Sequence, residues 1–322
     1  MISKVIWLIL LVIPLLLQPF CNSAHASEAS EPSKQEKLSI GILQNHFLGV
    51  NSLDAEAAFK IFARTVALTY GYQIDVTVRM FESTRELQSV PLVERIDLIV
   101  LDTWSYLKMK DEKWLEPVFV SSDGDQMACR YLLLTRRESK LNTLKDLRGK
   151  TLNLLASSNA MLGIPWLQGL MQEHELGMPE EFFGVMEYYT QPMPTVLPVF
   201  FGKKDAALID ATKFELMIEL NPQLKSLQTI GSSEPLVNSV VCLKRSGWSS
   251  ERFRQDLVQA MAELHLKPSG QQILALFKIG RMVPFEQSQL DTVIQLREMA
   301  LSRKNKNPGA PGRLEKSHGG GI

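Results

Sequence analysis

Apolar and polar positions along the chain switch repeatedly between a period near two and a period near 3.6, and each switch marks an element. Residues 38–43 are an apolar-rich run that predicts a first strand. Behind Asp54 and Glu56, the residues Ala58, Ile61, Phe62, Thr65, Val66 and Thr69 recur at helical spacing until Gly71 stops them. Ile74, Val76 and Val78 alternate as a second strand, residues 84–93 read as a short helix, and 96–101 is the continuous apolar run of a buried parallel strand. A similar order restarts near Thr143. It predicts a strand at 151–155, then a helix in which Trp166, Leu167, Leu170 and Met171 share a face, with Pro165 near its start and Gly177 and Pro179 closing it. Strands at 185–189 and 206–209 follow, separated by a helix around 195–201.

Two strands remain, at 131–135 leading into this second unit and at 239–243 leading out of it, before helices at 251–264, 269–277 and 286–301. The expected fold is therefore α/β, with two doubly wound lobes joined by two crossover strands. Lobe 1 is discontinuous, formed by 38–128 plus 244–301, and lobe 2 with the hinge strands occupies 129–243.

The ends read differently. Residues 5–20 form one apolar run behind Lys4, then break into small and polar residues, the order of a secretory signal cleaved after Ala24-His25-Ala26. Pro14 and Pro19 interrupt the run, whereas a bilayer crossing wants about 20 apolar residues. Residues 1–26 are thus expected to be a signal peptide, the mature chain to begin near Ser27, and the protein to reside in the periplasm. Residues 302–322 are rich in Lys, Arg, Pro and Gly and nearly free of apolar side chains, so they are expected to form a disordered tail.

Charge then narrows the partners. Lys plus Arg equals Asp plus Glu at 35 each, and residues 27–302 carry 29 basic against 34 acidic side chains, so no nucleic-acid partner is expected. Past the signal only Cys129 and Cys242 remain. In an oxidising compartment they can form a disulfide, and their places at the start of one crossover strand and within the other predict proximity. Two separate buried thiols are the alternative.

The usual catalytic constellations are missing. Gly149-Lys150-Thr151 resembles the end of a phosphate-binding loop, but Leu144 stands where that loop needs glycine. There is no G-x-S-x-G or G-x-G-x-x-G, and His46, His174 and His265 are scattered outside any metal pattern. No enzyme, metal or cofactor is expected. An enzyme on this scaffold would have to use Asp102 with His46.

The segments RIDLIVLDTWSY (95–106), LKDLRGKTLNLLASSNAMLGIP (144–165), VFFGKKDAALIDATKFE (199–215) and MVPFEQSQLDTVIQLREM (282–299) resemble the periplasmic substrate-binding proteins of phosphate, phosphite and phosphonate ABC transporters. The resemblance covers roughly residues 38–300. It implies the type 2 periplasmic binding protein fold, a small-molecule ligand held between two lobes, and delivery to an ABC permease, with a membrane sensor as the alternative partner. A monomer is expected.

Residue by residue, the resemblance assigns Tyr106 and the preceding Ser105 to the ligand, with Phe81 as the aromatic residue after the second strand. The family's Ser-Thr-Ser-Gly turn falls on Ser158-Asn159-Ala160-Met161, so Ser157, Ser158 and Asn159 are the candidates there. Asp210 lies near the family's acidic contact to an amine. Asp102 replaces a family glycine and Pro192 a polar residue. Ligands settle beyond the carboxyl ends of parallel strands, which adds Asn45 and His46 after the first strand. Asp102 reads equally as a cleft carboxylate or a helix N-cap. The acidic positions make a small zwitterionic or polar organic ligand as good a fit as inorganic phosphate.

Overall fold

The computed structural model describes residues 34–43, 52–91, 94–122, 126–156, 162–276 and 279–306. The first stretch of chain runs β1 (Lys34–Leu43), α1 (Ser52–Thr69), β2 (Tyr72–Phe81), α2 (Thr84–Gln88), β3 (Leu98–Asp102), α3 (Thr103–Met109) and β4 (Leu115–Ser121). The second runs β5 (Tyr131–Arg136), β6 (Thr151–Leu155), α4 (Gly163–Glu173), α5 (Pro179–Phe182), β7 (Val185–Tyr189), α6 (Pro192–Phe200), β8 (Ala206–Asp210), α7 (Ala211–Leu220) and β9 (Leu227–Ser232). The chain then returns through β10 (Ser239–Lys244), α8 (Glu251–Ala262), α9 (Pro268–Leu276), β11 (Met282–Pro284) and α10 (Asp291–Lys306).

These strands form two mixed sheets, ordered β11-β4-β10-β3-β1-β2 and β7-β6-β8-β5-β9. In the first, β2, β1 and β3 are parallel while β10 runs antiparallel to β3 and β4. In the second, β7, β6 and β8 are parallel while β5 runs antiparallel to β8 and β9. Five strands of one sheet therefore repeat the five of the other.

Two boundaries differ from the expectation. The strand at 239–243, read as a hinge strand of lobe 2, is hydrogen-bonded between β3 and β4 inside the first sheet. Residues 302–306, read as tail, continue α10. The signal segment 1–26 and residues 307–322 lie outside the described residues. Strands β4, β9 and β11 and helices α5 and α7 lie outside the elements that periodicity predicts. β11 has only three residues and β4 contains Pro117, so neither offers a full alternating pattern.

Period-two alternation sorts the first sheet's side chains onto two cores. Leu38, Ile40, Ile42, Leu98, Val241 and Leu243 join Ala63 and Ala67 of α1, Phe253 and Met261 of α8 and Leu274 of α9. Ile99, Leu101, Val240 and Cys242, pointing the other way, join a core continuous with that of the second sheet. Gly41 is required on this face. A Cβ there would stand 3.0 Å from Ile96 Cγ2 and 3.2 Å from both Ile99 Cδ1 and Phe81 Cε2.

Each sheet carries the same polar staple where its third parallel strand begins. Ser39 N and Oγ donate to Asp97 Oδ2 at 2.6 and 2.8 Å, and Asp97 N donates to Ser39 Oγ at 3.0 Å. Thr151 N and Oγ1 donate to Asp205 Oδ2 at 2.9 and 2.8 Å, and Asp205 N donates to Thr151 Oγ1 at 2.9 Å. Five residues past each stapling aspartate stands another, Asp102 or Asp210. Asp97 also pairs with Lys244 Nζ, a pair with little exposure on either side. Asp97→Ala would leave that ammonium without a counter-ion, held only over the Trp248 ring at 5.1 Å, and should destabilise by about 3 kcal/mol. Asp205→Ala removes hydrogen bonds alone and should cost about 1–3 kcal/mol. Urea unfolding measures both, and a loss below about 1 kcal/mol for Asp97→Ala would refute the staple's role.

Candidate functional site

The chain crosses between the sheets after β4 and again after β9. Tyr131 opens β5 opposite Asp210, the last residue of β8, and Ser239 opens β10 opposite Asp102, the last residue of β3. Both crossings therefore leave from the carboxyl ends of parallel strands, where unpaired donors of loops and helix starts gather. Midway the crossings pair with each other: Cys129 N donates to Leu236 O at 3.0 Å and Leu236 N to Cys129 O at 2.9 Å.

Helices α3 and α7 begin at these ends, and each hangs by its first N–H from a crossing. Thr103 N donates to Asn238 O at 2.9 Å, and Ala211 N donates to Arg130 O at 2.8 Å. Thr103 Oγ1 adds a bond to Val237 O at 2.6 Å. Each helix is also N-capped by the aspartate that ends its strand. Asp102 Oδ1 accepts from Ser105 N at 2.8 Å, and Asp210 Oδ1 accepts from Lys213 N at 2.9 Å. Such caps hold one of the four N–H groups that a helix start leaves without an internal partner. Asp210 additionally pairs with the Lys213 ammonium.

A polar chain, partly buried, runs between the crossings. Tyr131 donates its hydroxyl to Asn238 Oδ1 at 2.7 Å, and Asn238 Nδ2 donates to Cys129 Sγ at 3.0 Å. Ser233 Oγ accepts from Tyr131 N at 2.9 Å, and Thr212 Oγ1 donates to Gln126 Oε1 at 3.3 Å. The hydroxyls of Ser121 and Ser239 also bond each other at the carboxyl end of β4. Burial raises the Cys129 thiol above its ordinary value despite its bonds to Tyr131 and Asn238, and burial beside Cys129 holds the Tyr131 phenol well above its own.

The sequence-predicted residues divide into three groups. Asp102, Ser105 and Tyr106 sit together at the start of α3, and Asp210 at the matched start of α7. Of the two readings of Asp102, the N-cap is realised. Asp210 is a cap as well, with its charge paired inside its own helix rather than presented to an amine. Phe81 is fully buried and packed on Gly41, with the Arg79 guanidinium 4.8 Å from its ring. Tyr106 is also buried, edge-on to Phe285 at 6.1 Å. Asn45, His46, Ser157, Ser158 and Asn159 lie outside the described residues.

The expected disulfide is corrected. Cys129 and Cys242 are separate buried thiols. The crossing segments do run antiparallel, as expected, but the partner of Cys129 is Leu236, six residues before Cys242. Cys242 lies deep in the first sheet opposite Ile99 and Pro117. Sequence reasoning missed Tyr131, Asn238, Gln126 and Lys213. Only Lys213 left a local signal, a cation three residues after a capping aspartate.

The model of the family described as the periplasmic substrate-binding protein of phosphonate ABC transporters matches residues 50–290, 241 of the 322 residues. The chain belongs to this family. Its members are transport substrate-binding proteins rather than enzymes, which accords with the missing catalytic motifs. Among curated proteins none matches the chain. Solved structures share the two-lobed type 2 periplasmic binding protein fold at low identity. XAC2383 from Xanthomonas citri bound to ATP matches at 14% identity and a TM-score of 0.60, covering 86% of this chain and all of that one. A binding protein component of an ABC phosphonate transporter from Pseudomonas aeruginosa matches at 13% and 0.58, over 88% of this chain and 92% of that one. PhnD1 from Prochlorococcus marinus in complex with methylphosphonate matches at 15% and 0.55, over 82% and 98%.

Two measurements check the chemistry of this region. Native protein should leave Cys129 and Cys242 unreactive toward Ellman's reagent, and denaturation without reductant should expose both as free thiols. One disulfide per chain would reverse the correction. Tyr70, Tyr72 and Tyr106 are each pushed up from 10.0 to about 12, chiefly by burial. The folded chain keeps these phenols neutral to higher pH than the unfolded chain does. Their contribution to stability is therefore complete below pH 10 and is lost as pH rises from about 10 to about 12. Urea midpoints should fall within that window, with an earlier decline setting in above pH 9.0 as the buried Cys129 and Cys242 thiols, both raised from that value, begin to ionise in the unfolded chain.

Proposed function

We propose that this family member is exported by cleavage near Ser27 and closes its two lobes over a small phosphoryl-type or polar ligand for delivery to an ABC permease. The observation that carries the reading is the shared placement of both crossings at the carboxyl ends of β3 and β8. A ligand placed there touches the starts of α3 and α7 and the crossings at once, so its binding favours the closed arrangement over the open one. The proposed ligand set is the region of Asn45 and His46 after β1, Ser105 and Tyr106 at the start of α3, Ser157, Ser158 and Asn159 after β6, and the start of α7 at Asp210. The two lobes are proposed to divide within the crossings, with residues 34–121 and 239–306 in one and 131–232 in the other.

Methylphosphonate, found with PhnD1, is the first candidate for this chain. Native mass spectrometry of protein purified from its source without refolding should reveal a bound small molecule. Calorimetry with methylphosphonate, inorganic phosphate and 2-aminoethylphosphonate should show a one-to-one complex with at least one. No retained mass and no heat with any of the three would overturn the phosphoryl reading. Amino-terminal sequencing of the exported protein should begin near Ser27, and an intact Met1 in a membrane fraction would overturn cleavage.

A further inference from the structure

We propose that Lys213 determines the charge class of the ligand: its ammonium exchanges the carboxylate of Asp210 for an anionic group bound between the lobes. The proposal rests on the functional reading above and deepens it.

The geometry is unusual for a lysine. Residue 213 is in the first turn of α7, where the helix dipole disfavours a cation and a long side chain ordinarily reaches outward into water. Here it turns back toward the helix start, because its ammonium bonds the N-cap carboxylate three residues earlier. The Lys213 side chain is 16% exposed and that of Asp210 2%. The pair therefore stands at the carboxyl end of β8 with little water around it, beside the crossing that carries Gln126 and Arg130. Ala211, next to Asp210, donates its N–H to Arg130 O at 2.8 Å, which sets the pair beside the residue that follows Cys129 in the crossing.

The two bonds to Asp210 are separable. Oδ1 takes the Lys213 N–H at 2.9 Å and Oδ2 takes the ammonium. When the ammonium swings to a ligand anion, the cap through Oδ1 persists and α7 keeps its start. The matched helix of the other lobe has no such cation, since Ser105 occupies the position three residues after Asp102. Arg130, the cation nearest on the crossing, is half exposed and donates to Ser233 O at 3.1 Å.

The consequence concerns selectivity. An ammonium-bearing ligand arrives to find the Asp210 carboxylate already paired, and it meets Lys213 as a like charge. A purely anionic ligand gains a charge-assisted bond. The chain should then prefer methylphosphonate or inorganic phosphate to 2-aminoethylphosphonate.

Calorimetry with those three probes on wild type, Lys213→Met, Lys213→Arg and Asp210→Asn tests this. Wild type should bind an amine-free anion more tightly than 2-aminoethylphosphonate. Lys213→Met should weaken that anion by roughly 10- to 100-fold, the range for losing a hydrogen bond to a charged group, while Lys213→Arg stays within a few-fold of wild type. Asp210→Asn retains the Oδ1 acceptor but frees the ammonium, so it should tighten the anion. Equal affinity in wild type and Lys213→Met, or preference for 2-aminoethylphosphonate, would overturn this proposal and leave the functional reading standing. Should Lys213→Met fail to fold, unchanged anion affinity in Asp210→Asn would overturn it instead. If wild type binds none of the three, the phosphoryl reading and this inference fall together.

Discussion

The arrangement of this protein depends on how two helix starts satisfy their backbone N–H groups. At the carboxyl ends of β3 and β8, the first N–H of α3 and of α7 is given to a carbonyl of a crossing segment, Asn238 or Arg130, the residue just before β10 or β5 begins. A further N–H of each helix is taken by a capping aspartate at the strand end. Burying such groups without partners would cost several kcal/mol in all, so the crossings cannot drift away from the helix starts freely. That constraint fixes where the crossings stand relative to both sheets. It also puts polar, partnered backbone at the place where a ligand between lobes would be held.

The same physics acts twice because the lobes repeat one design. Ser39 with Asp97 and Thr151 with Asp205 make matched staples, Asp102 and Asp210 make matched caps, and the spacing from staple to cap is five residues in each lobe. Differences from this symmetry stand out as candidates for function. Lys213 against Ser105 is one. Another is Tyr189 at the end of β7 against Phe81 at the end of β2: the tyrosine is partly exposed and donates its hydroxyl to Glu187 at 2.6 Å, whereas the phenylalanine is sealed in the core.

Helix α10 adds a third link across the molecule. It follows β11 of the first sheet, yet its Leu296 lies so close to α4 that a Cβ at Gly169 would stand 2.8 Å from Leu296 Cδ1. Thr292 Oγ1 donates to Pro235 O in the second crossing at 2.8 Å, and Leu290, Val293 and Leu296 are buried in the core shared with the second sheet. The packing of α10 on α4 thus ties the end of the chain to the second sheet as well as to the first.

Most of the strands and helices were legible from periodicity, because a face that packs against a core imposes its period on the residues that form it. Asp102 as a helix start was legible too, since a cap acts over three residues. What lay beyond the sequence were relations between distant segments. Cys129 and Cys242 looked like partners until register set Leu236 opposite Cys129 and placed Cys242 inside a sheet. The burial of Phe81 depends on Gly41, whose missing side chain leaves room for its ring. Tyr131, Asn238 and Cys129 share one polar chain although Cys129 and Asn238 are 109 residues apart. Local spacing determines which residues can form a strand, a helix or a cap. Which of them meet at the crossings is decided by strand register, because a hydrogen-bonded ladder brings together residues that no local pattern connects.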